Sequence, residues 1–178
     1  MDIREGVDSN LEDILSIESA AFGEAEGPVI VGLVRDLLSD PTAKPLLSLV
    51  AFQDEVPVGH ILFTKVRVLP KDSVSAVILA PMAVLPSSQK KGIGGKLIET
   101  GFNILSERGV DLVFVLGYPS FYSRSGFQPA GRLGYTAPYP IAKKNEDAWM
   151  VKKLSDIKET SSRIECAKSL DKPEYWIE

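Results

Sequence analysis

Two strand-like apolar segments flank one amphipathic helix in the middle of the chain, and this arrangement restricts the fold more than any other feature. Residues 75–85 and 111–116 (DLVFVL) are nearly continuous apolar runs, as expected of strands buried on both faces. Between them Ile93, Leu97, Ile98, Gly101, Phe102 and Leu105 recur at helical spacing on one broad face, and Gly109 is placed to stop that helix. A strand–helix–strand unit of this kind requires parallel strands and a right-handed crossover. Upstream, residues 46–52 and 58–69 read as two further strands with a turn at Asp54-Glu55. Pro70, Lys71 and Asp72 then turn the chain into 75–85, giving an antiparallel meander. The expected fold class is therefore α/β, a mixed and mostly antiparallel sheet with a central βαβ unit.

Helices are expected ahead of the meander. Ser9 followed by Glu12 has the spelling of a capping box, opening a helix that carries Leu11, Ile14, Leu15, Ala21 and Phe22. Gly23 and Gly27-Pro28 break it, and Ile30, Leu33, Val34, Leu37 and Leu38 mark a second helix ending near Asp40-Pro41. Residues 22–28 (FGEAEGP) then form an acidic loop between the two. Beyond residue 116 come a short turn or helix around 120–125, a glycine- and proline-rich stretch from 129 to 140, and a strand over 148–154. An edge strand at 164–167 and the apolar Tyr175-Trp176-Ile177 complete the chain. One domain over 1–154 is expected, with 155–178 packing on it or extending it.

The remaining composition excludes several chemistries. Hydrophobic residues are 44% and charged residues 25% of the 178, as in ordinary globular chains. The formal charge of -4 argues against a surface that coats nucleic acid. Cys166 is the only cysteine and His60 the only histidine, which removes an intrachain disulfide, thiolate zinc sites and multi-histidine metal centres. With a polar start (MDIREGVDSN) and no run of eighteen apolar residues, a soluble cytoplasmic protein is expected.

Gln89-Lys90-Lys91-Gly92-Ile93-Gly94-Gly95-Lys96 joins the central strand to the amphipathic helix. A helix N-terminus offers unpaired N–H groups and the positive end of the helix dipole, and glycines let an anion approach closely. Phosphate binding and a plain tight turn are both consistent with this segment. A Walker A loop is not, because Leu97 follows Gly95-Lys96 and Lys90 stands where the first glycine belongs. A dinucleotide fingerprint fails as well, since Leu97 occupies the position of its last glycine and the preceding strands form a meander.

Gln89-Lys90-Lys91-Gly92-Ile93-Gly94, directly after LAPMAVLP at 79–86, resembles the Q/R-x-x-G-x-G/A motif of the GCN5-related N-acetyltransferase superfamily. Phe121-Tyr122-Ser123-Arg124-Ser125-Gly126-Phe127 is similar to that family's FY…GF segment. Val58-Gly59-His60-Ile61-Leu62-Phe63 and Val115-Leu116-Gly117-Tyr118-Pro119 look like its YhbS-like branch. The resemblance implies the acyl-CoA N-acyltransferase fold and acetyl-coenzyme A as cosubstrate. It places the pyrophosphate on Lys90, Lys91, Gly92, Ile93, Gly94 and Gly95, with Gln89 shaping the loop and Met82, Ala83 and Val84 along the pantetheine arm. Pro81 cannot donate to a sheet ladder and fits a bulge that parts the two central strands.

Acetyl transfer from a thioester needs a neutral amine and a proton for the departing thiolate. The resemblance gives Tyr122 the second task, while Phe121 and Phe127 are assigned to the core. Glu24, Glu26 and His60 are the candidates for general base, alongside direct attack by an amine already neutral. Cys166 is read as a small hydrophobe. The expected reaction is direct attack by a primary amine in a ternary complex, on a small molecule or a peptide. A non-catalytic acyl-coenzyme A sensor is the alternative. Neither nucleic acid nor membrane is an expected partner, no metal is expected, and the assembly is a monomer or homodimer.

Overall fold

The structure is a computed structural model that describes residues 1–70, 72–158 and 160–177. Lys71, placed by the sequence in the turn after the second strand of the meander, lies outside the described residues. Strands β2 (Leu47–Gln53), β3 (Val56–Leu69) and β4 (Ala76–Val84) form the expected antiparallel meander. Helix α2 (Ile93–Glu107) leads to β5 (Leu112–Leu116), which pairs with β4 in parallel. Outer strands are β1 (Asp2–Glu5), β8 (Trp149–Lys153) and the two-residue β6 (Gln128–Pro129), in the order β1-β2-β3-β4-β5-β8-β6. A short β7 (Tyr135–Thr136) pairs in parallel with β9 (Ser162–Glu165), which also joins the far end of β3 antiparallel.

Strand alternation sends two apolar sets to opposite faces of the sheet. Ile61, Phe63, Val77, Leu79, Val113, Val115 and Met150 pack on one side under α2. Leu62, Val66, Ile78, Phe114, Val151 and Trp149 face the other side. That second face is covered by the first long helix and by the chain's last segment, where Leu170 and Trp176 are buried. Trp149 stacks on Phe114 at 5.1 Å and meets Trp176 edge-on at 5.7 Å.

Three local expectations need correction. Ser9 caps nothing: it lies in a single turn, Asp8–Asn10, where the Asn10 side chain accepts from the Val7 N–H at 2.9 Å. Residues 22–28 are not a loop. Helix α1 (Leu11–Ser39) runs through them with one break at Gly23, whose φ of 80° and ψ of -175° turn the axis. Pro28 sits inside the second limb, where its missing N–H costs one backbone bond and no termination. Finally, β1 was not foreseen; it carries a single apolar residue, Ile3, and owes its strand state to pairing with β2.

Asp40 closes α1 and also ties down the chain's end. Its carboxylate accepts from the Thr42 N–H and hydroxyl, and from the Ser169 N–H and hydroxyl, at 2.6 to 2.9 Å. Desolvation raises its pKa, but these bonds outweigh it and hold the carboxyl well below the usual range. A depressed folded pKa means that the stabilisation is complete above the unfolded value near 3.9 and fades as pH falls below it. Asp40→Asn should lower the melting temperature by roughly 3 °C at pH 7, as for a lost cap worth about 1 kcal/mol. The gap to wild type should narrow on titrating from pH 5 downward; a pH-independent gap in thermal scans would refute the assignment. Among the described residues no helix is long and apolar enough to cross a membrane.

Candidate active site

The parallel pairing of β4 and β5 runs from Ala76–Leu112 to Leu79–Val115 and stops there. Leu79 of β4 pairs with Phe63 of β3, and Met82 with Ile61. Ala80 and Pro81 therefore oppose the single residue Leu62, which is the bulge that Pro81 foretold. Beyond it β4 stays with β3 as far as Val84 and parts from β5. Ala80, Met82, Val84 and Leu116 are half-buried along the resulting gap, while Ala83 is buried.

At its far end the gap leads to the glycine turn. The Gln89 side chain donates to the Val84 carbonyl at 3.0 Å, tying the turn to the end of β4. Lys90 and Gly92 adopt left-handed φ values of 62° and 81° to bring the chain into α2. The Lys96 N–H donates to the Gly92 carbonyl at 3.1 Å, the first bond of the helix. The N–H groups of Ile93, Gly94 and Gly95 precede it and have no acceptor within the helix. Ile93 buries its side chain against Gly59, so only its backbone is available to a ligand. A cavity of about 500 Å³ opens beside the turn, lined by Gly92, Gly95, Lys96, Phe102, Arg124 and Ser125. Lys90, Lys91, Lys96 and Arg124 are all exposed there, a local cationic surface on an acidic chain.

The opposite wall is the segment after β5. Gly117 continues the ladder, donating to the Ala148 carbonyl at 2.9 Å, and a Cβ on it would fall 2.4 Å from the Tyr122 ring. The absence of that Cβ lets the ring pack directly against the strand end. Tyr122 packs edge-on against Phe121 at 5.0 Å and Phe127 at 5.6 Å. Phe127 is buried core as expected. Phe121 packs against the same core from its margin and is half-buried, and a Cβ on Gly94 would touch both its ring at 3.3 Å and Met82 at 3.4 Å. Met82, Gly94 and Phe121 thus meet at the mouth of the gap.

Of the base candidates, His60 is committed to the core. His60 is wholly buried, with Nδ1 2.6 Å from Glu18 Oε1 and Nε2 2.9 Å from Ser48 Oγ. With the ring proton on Nδ1, it donates to Glu18 and accepts from Ser48, so neither nitrogen is left for a substrate. Burial pushes the Glu18 carboxyl above its usual range, against the opposing pull of the His60 hydrogen bond, and its Oε2 has no partner among the described residues. Glu24 and Glu26 are exposed on the first turn of the second limb of α1, where their charge complements the positive helix end. Gly27 buries that turn against the first limb: a Cβ there would lie 3.1 Å from the Ser19 carbonyl oxygen. Desolvation raises the Cys166 thiol pKa to about 12, consistent with an inert side chain.

Sequence reasoning missed Glu18, Ser48 and Arg124. Glu18 alone gave a signal, as a charge four residues after Ile14 on an otherwise apolar helix stripe.

The family model described as the Acetyltransferase (GNAT) domain matches residues 2–130. The chain belongs to the GNAT acetyltransferase family. It is 43% identical over 162 residues to the uncharacterized N-acetyltransferase YjhQ of Escherichia coli (strain K12), covering 89% of this chain and 88% of that one. The solved GNAT-family N-acetyltransferase YhbS of Escherichia coli in complex with CoA superimposes with a TM-score of 0.83 at 27% identity, covering 96% of this chain and 92% of that one. A GNAT-family acetyltransferase of Brucella melitensis in complex with acetyl-CoA gives a TM-score of 0.72 at 25% identity, covering 96% and 97%.

Proposed function

We propose that the protein transfers an acetyl group from acetyl-coenzyme A to a primary amine by direct attack in a ternary complex. The observation that carries this reading is the continuous path from the gap past Leu79–Val115 to the unpaired N–H groups at the start of α2. A phosphate-bearing head group fits the turn, where Lys90, Lys91, Lys96 and Arg124 offset its charge and the glycines allow close approach. The narrow arm lies along Met82, Ala83 and Val84, which brings the thioester toward Leu116 and Tyr122. Both YhbS, solved with CoA, and the Brucella melitensis enzyme, solved with acetyl-CoA, share this architecture.

In the reaction the amine nitrogen attacks the thioester carbonyl carbon, the C–N bond forms and the C–S bond breaks. Tyr122 donates its phenolic proton to the leaving thiolate, and the proton lost from the ammonium nitrogen of the tetrahedral intermediate returns through water to the Tyr122 phenolate, leaving the neutral amide and the free thiol. His60 takes no part, because both ring nitrogens are engaged in the core.

Gly95 supplies the test. It lies inside α2 with ordinary helical φ, and nothing lies within 4 Å of a Cβ built on it. Gly95→Ala should therefore stabilise the helix by about 0.5–1 kcal/mol. The same methyl would stand where the pyrophosphate approaches, so calorimetric titration should show acetyl-coenzyme A affinity falling about tenfold or more. A variant that melts higher and binds the coenzyme as well as wild type would remove the phosphate from this turn.

A further inference from the structure

We infer that Ser48, His60 and Glu18 form a second reactive centre, a serine triad that opens onto its own cavity and hydrolyses carboxylic esters with an aliphatic acyl group. This activity is separate from acetyl transfer and does not rest on it.

Three elements build the triad. Ser48 on β2 and His60 on β3 meet Glu18, which reaches them from the first limb of α1. Ser48 Oγ lies 2.9 Å from His60 Nε2, and His60 Nδ1 lies 2.6 Å from Glu18 Oε1. Through such contacts a base takes the serine proton, while a carboxylate fixes its tautomer and steadies the imidazolium that forms. Packing alone does not call for the arrangement, since apolar residues of similar volume fill a core as well as a buried ionic pair. Glu18 and His60 are fully buried, whereas Ser48, the outer member, keeps 7% of its surface.

Ser48 lines a cavity of about 660 Å³ between the end of β1, α1 and the segment leading into β2. Gly6 lines it as well, and a Cβ on this glycine would fall 2.9 Å from Ser48 Oγ. A side chain there would crowd the hydroxyl; glycine leaves it room. Val7, Leu11, Leu38 and Leu46 make the walls apolar, which suits a short acyl chain. Arg35 and Lys44 outnumber the one acid, Asp8, so the cavity is positive where an ester oxygen becomes negative during attack. β3 and β4 stand between β2 and the coenzyme gap, so the two centres are separate.

In the reaction the Ser48 oxygen bonds to the ester carbonyl carbon as its proton passes to His60 Nε2. The C–O bond to the alcohol then breaks, and His60 gives the proton to the departing oxygen. Water attacks the acyl-serine, its proton returns through His60 to Ser48, and the carboxylic acid is released.

A fluorophosphonate probe, which phosphonylates activated serines, tests this together with p-nitrophenyl butyrate as the ester. Intact mass and peptide mapping of wild type should show one adduct, on Ser48, absent from heat-denatured protein and unaffected by saturating coenzyme A. Ser48→Ala should lose the adduct and slow ester hydrolysis by about a hundredfold or more, with coenzyme A affinity unchanged. Glu18→Gln keeps an acceptor for the Nδ1 proton without the charge, and should slow labelling by about tenfold or more while binding coenzyme A as wild type does. No adduct on wild type, an adduct elsewhere, or equal labelling of denatured protein would overturn the inference. So would ester hydrolysis that survives in Ser48→Ala, or a Glu18→Gln labelling rate equal to that of wild type. If Ser48→Ala fails to fold, the wild-type adduct map and the loss of hydrolysis on labelling decide alone.

Discussion

Replacing Tyr122 with phenylalanine should slow acetyl transfer by about a hundredfold while leaving acetyl-coenzyme A affinity unchanged. The substitution removes one oxygen and keeps the ring, so its edge-on contacts to Phe121 and Phe127 and its fit against Gly117 persist. What is lost is a proton donor for the thiolate, and general acid catalysis contributes roughly 10²–10⁴ in rate. An interaction made only in the transition state lowers kcat and kcat/KM together, whereas a binding contact raises KM alone. Single-turnover assays with any accepted amine distinguish the two. A wild-type rate for Tyr122→Phe would confine the phenol to packing, and a changed coenzyme affinity would assign it to binding.

The second large effect concerns stability. His60→Ala should cost about 3–5 kcal/mol, because it leaves the buried Glu18 carboxyl without its hydrogen-bond partner. Against a total stability of about 5–15 kcal/mol such a loss approaches unfolding. The double replacement Glu18→Met with His60→Leu removes the polar pair as a unit and should recover most of it, since a well-packed apolar pair substitutes for a buried ionic one. Urea unfolding gives both numbers, and a single-variant loss under 1 kcal/mol would contradict the argument. The recovered double variant should also acetylate at the wild-type rate, which a catalytic histidine would not permit.

These two residues show how unevenly the sequence reports on the molecule. The segment around Tyr122 is local: Gly117, Phe121, Tyr122 and Phe127 lie within eleven positions, and their types were informative together. The core strands were equally legible, their ends falling within one or two residues, because burial on both faces leaves an uninterrupted apolar run. Pro81 disclosed its bulge since a residue without an N–H has few places in a central strand. His60 disclosed nothing comparable. Alternation gave its neighbours on β3 but not which face met α1, and its partners Glu18 and Ser48 lie 42 and 12 positions away. The segment at 22–28 misled for a different reason. Three helix-breaking residues suggested a loop, yet only Gly23 leaves helical geometry; Gly27 serves close packing and Pro28 is tolerated within the second limb.

The bulge at Ala80-Pro81 also changes what kind of object the sheet is. A flat run of strands has two outer margins, and each invites pairing with a foreign chain. Here one additional residue creates a third margin in the interior, where the β5-facing side of Met82–Val84 has no neighbouring strand among the described residues. Its walls are Met82 and Phe121 on one side of the sheet and Leu116 on the other. On the proposed reading a slender molecule bearing amide groups and no side chains completes the interrupted ladder, so that this interior edge is matched to the cosubstrate and not to another chain.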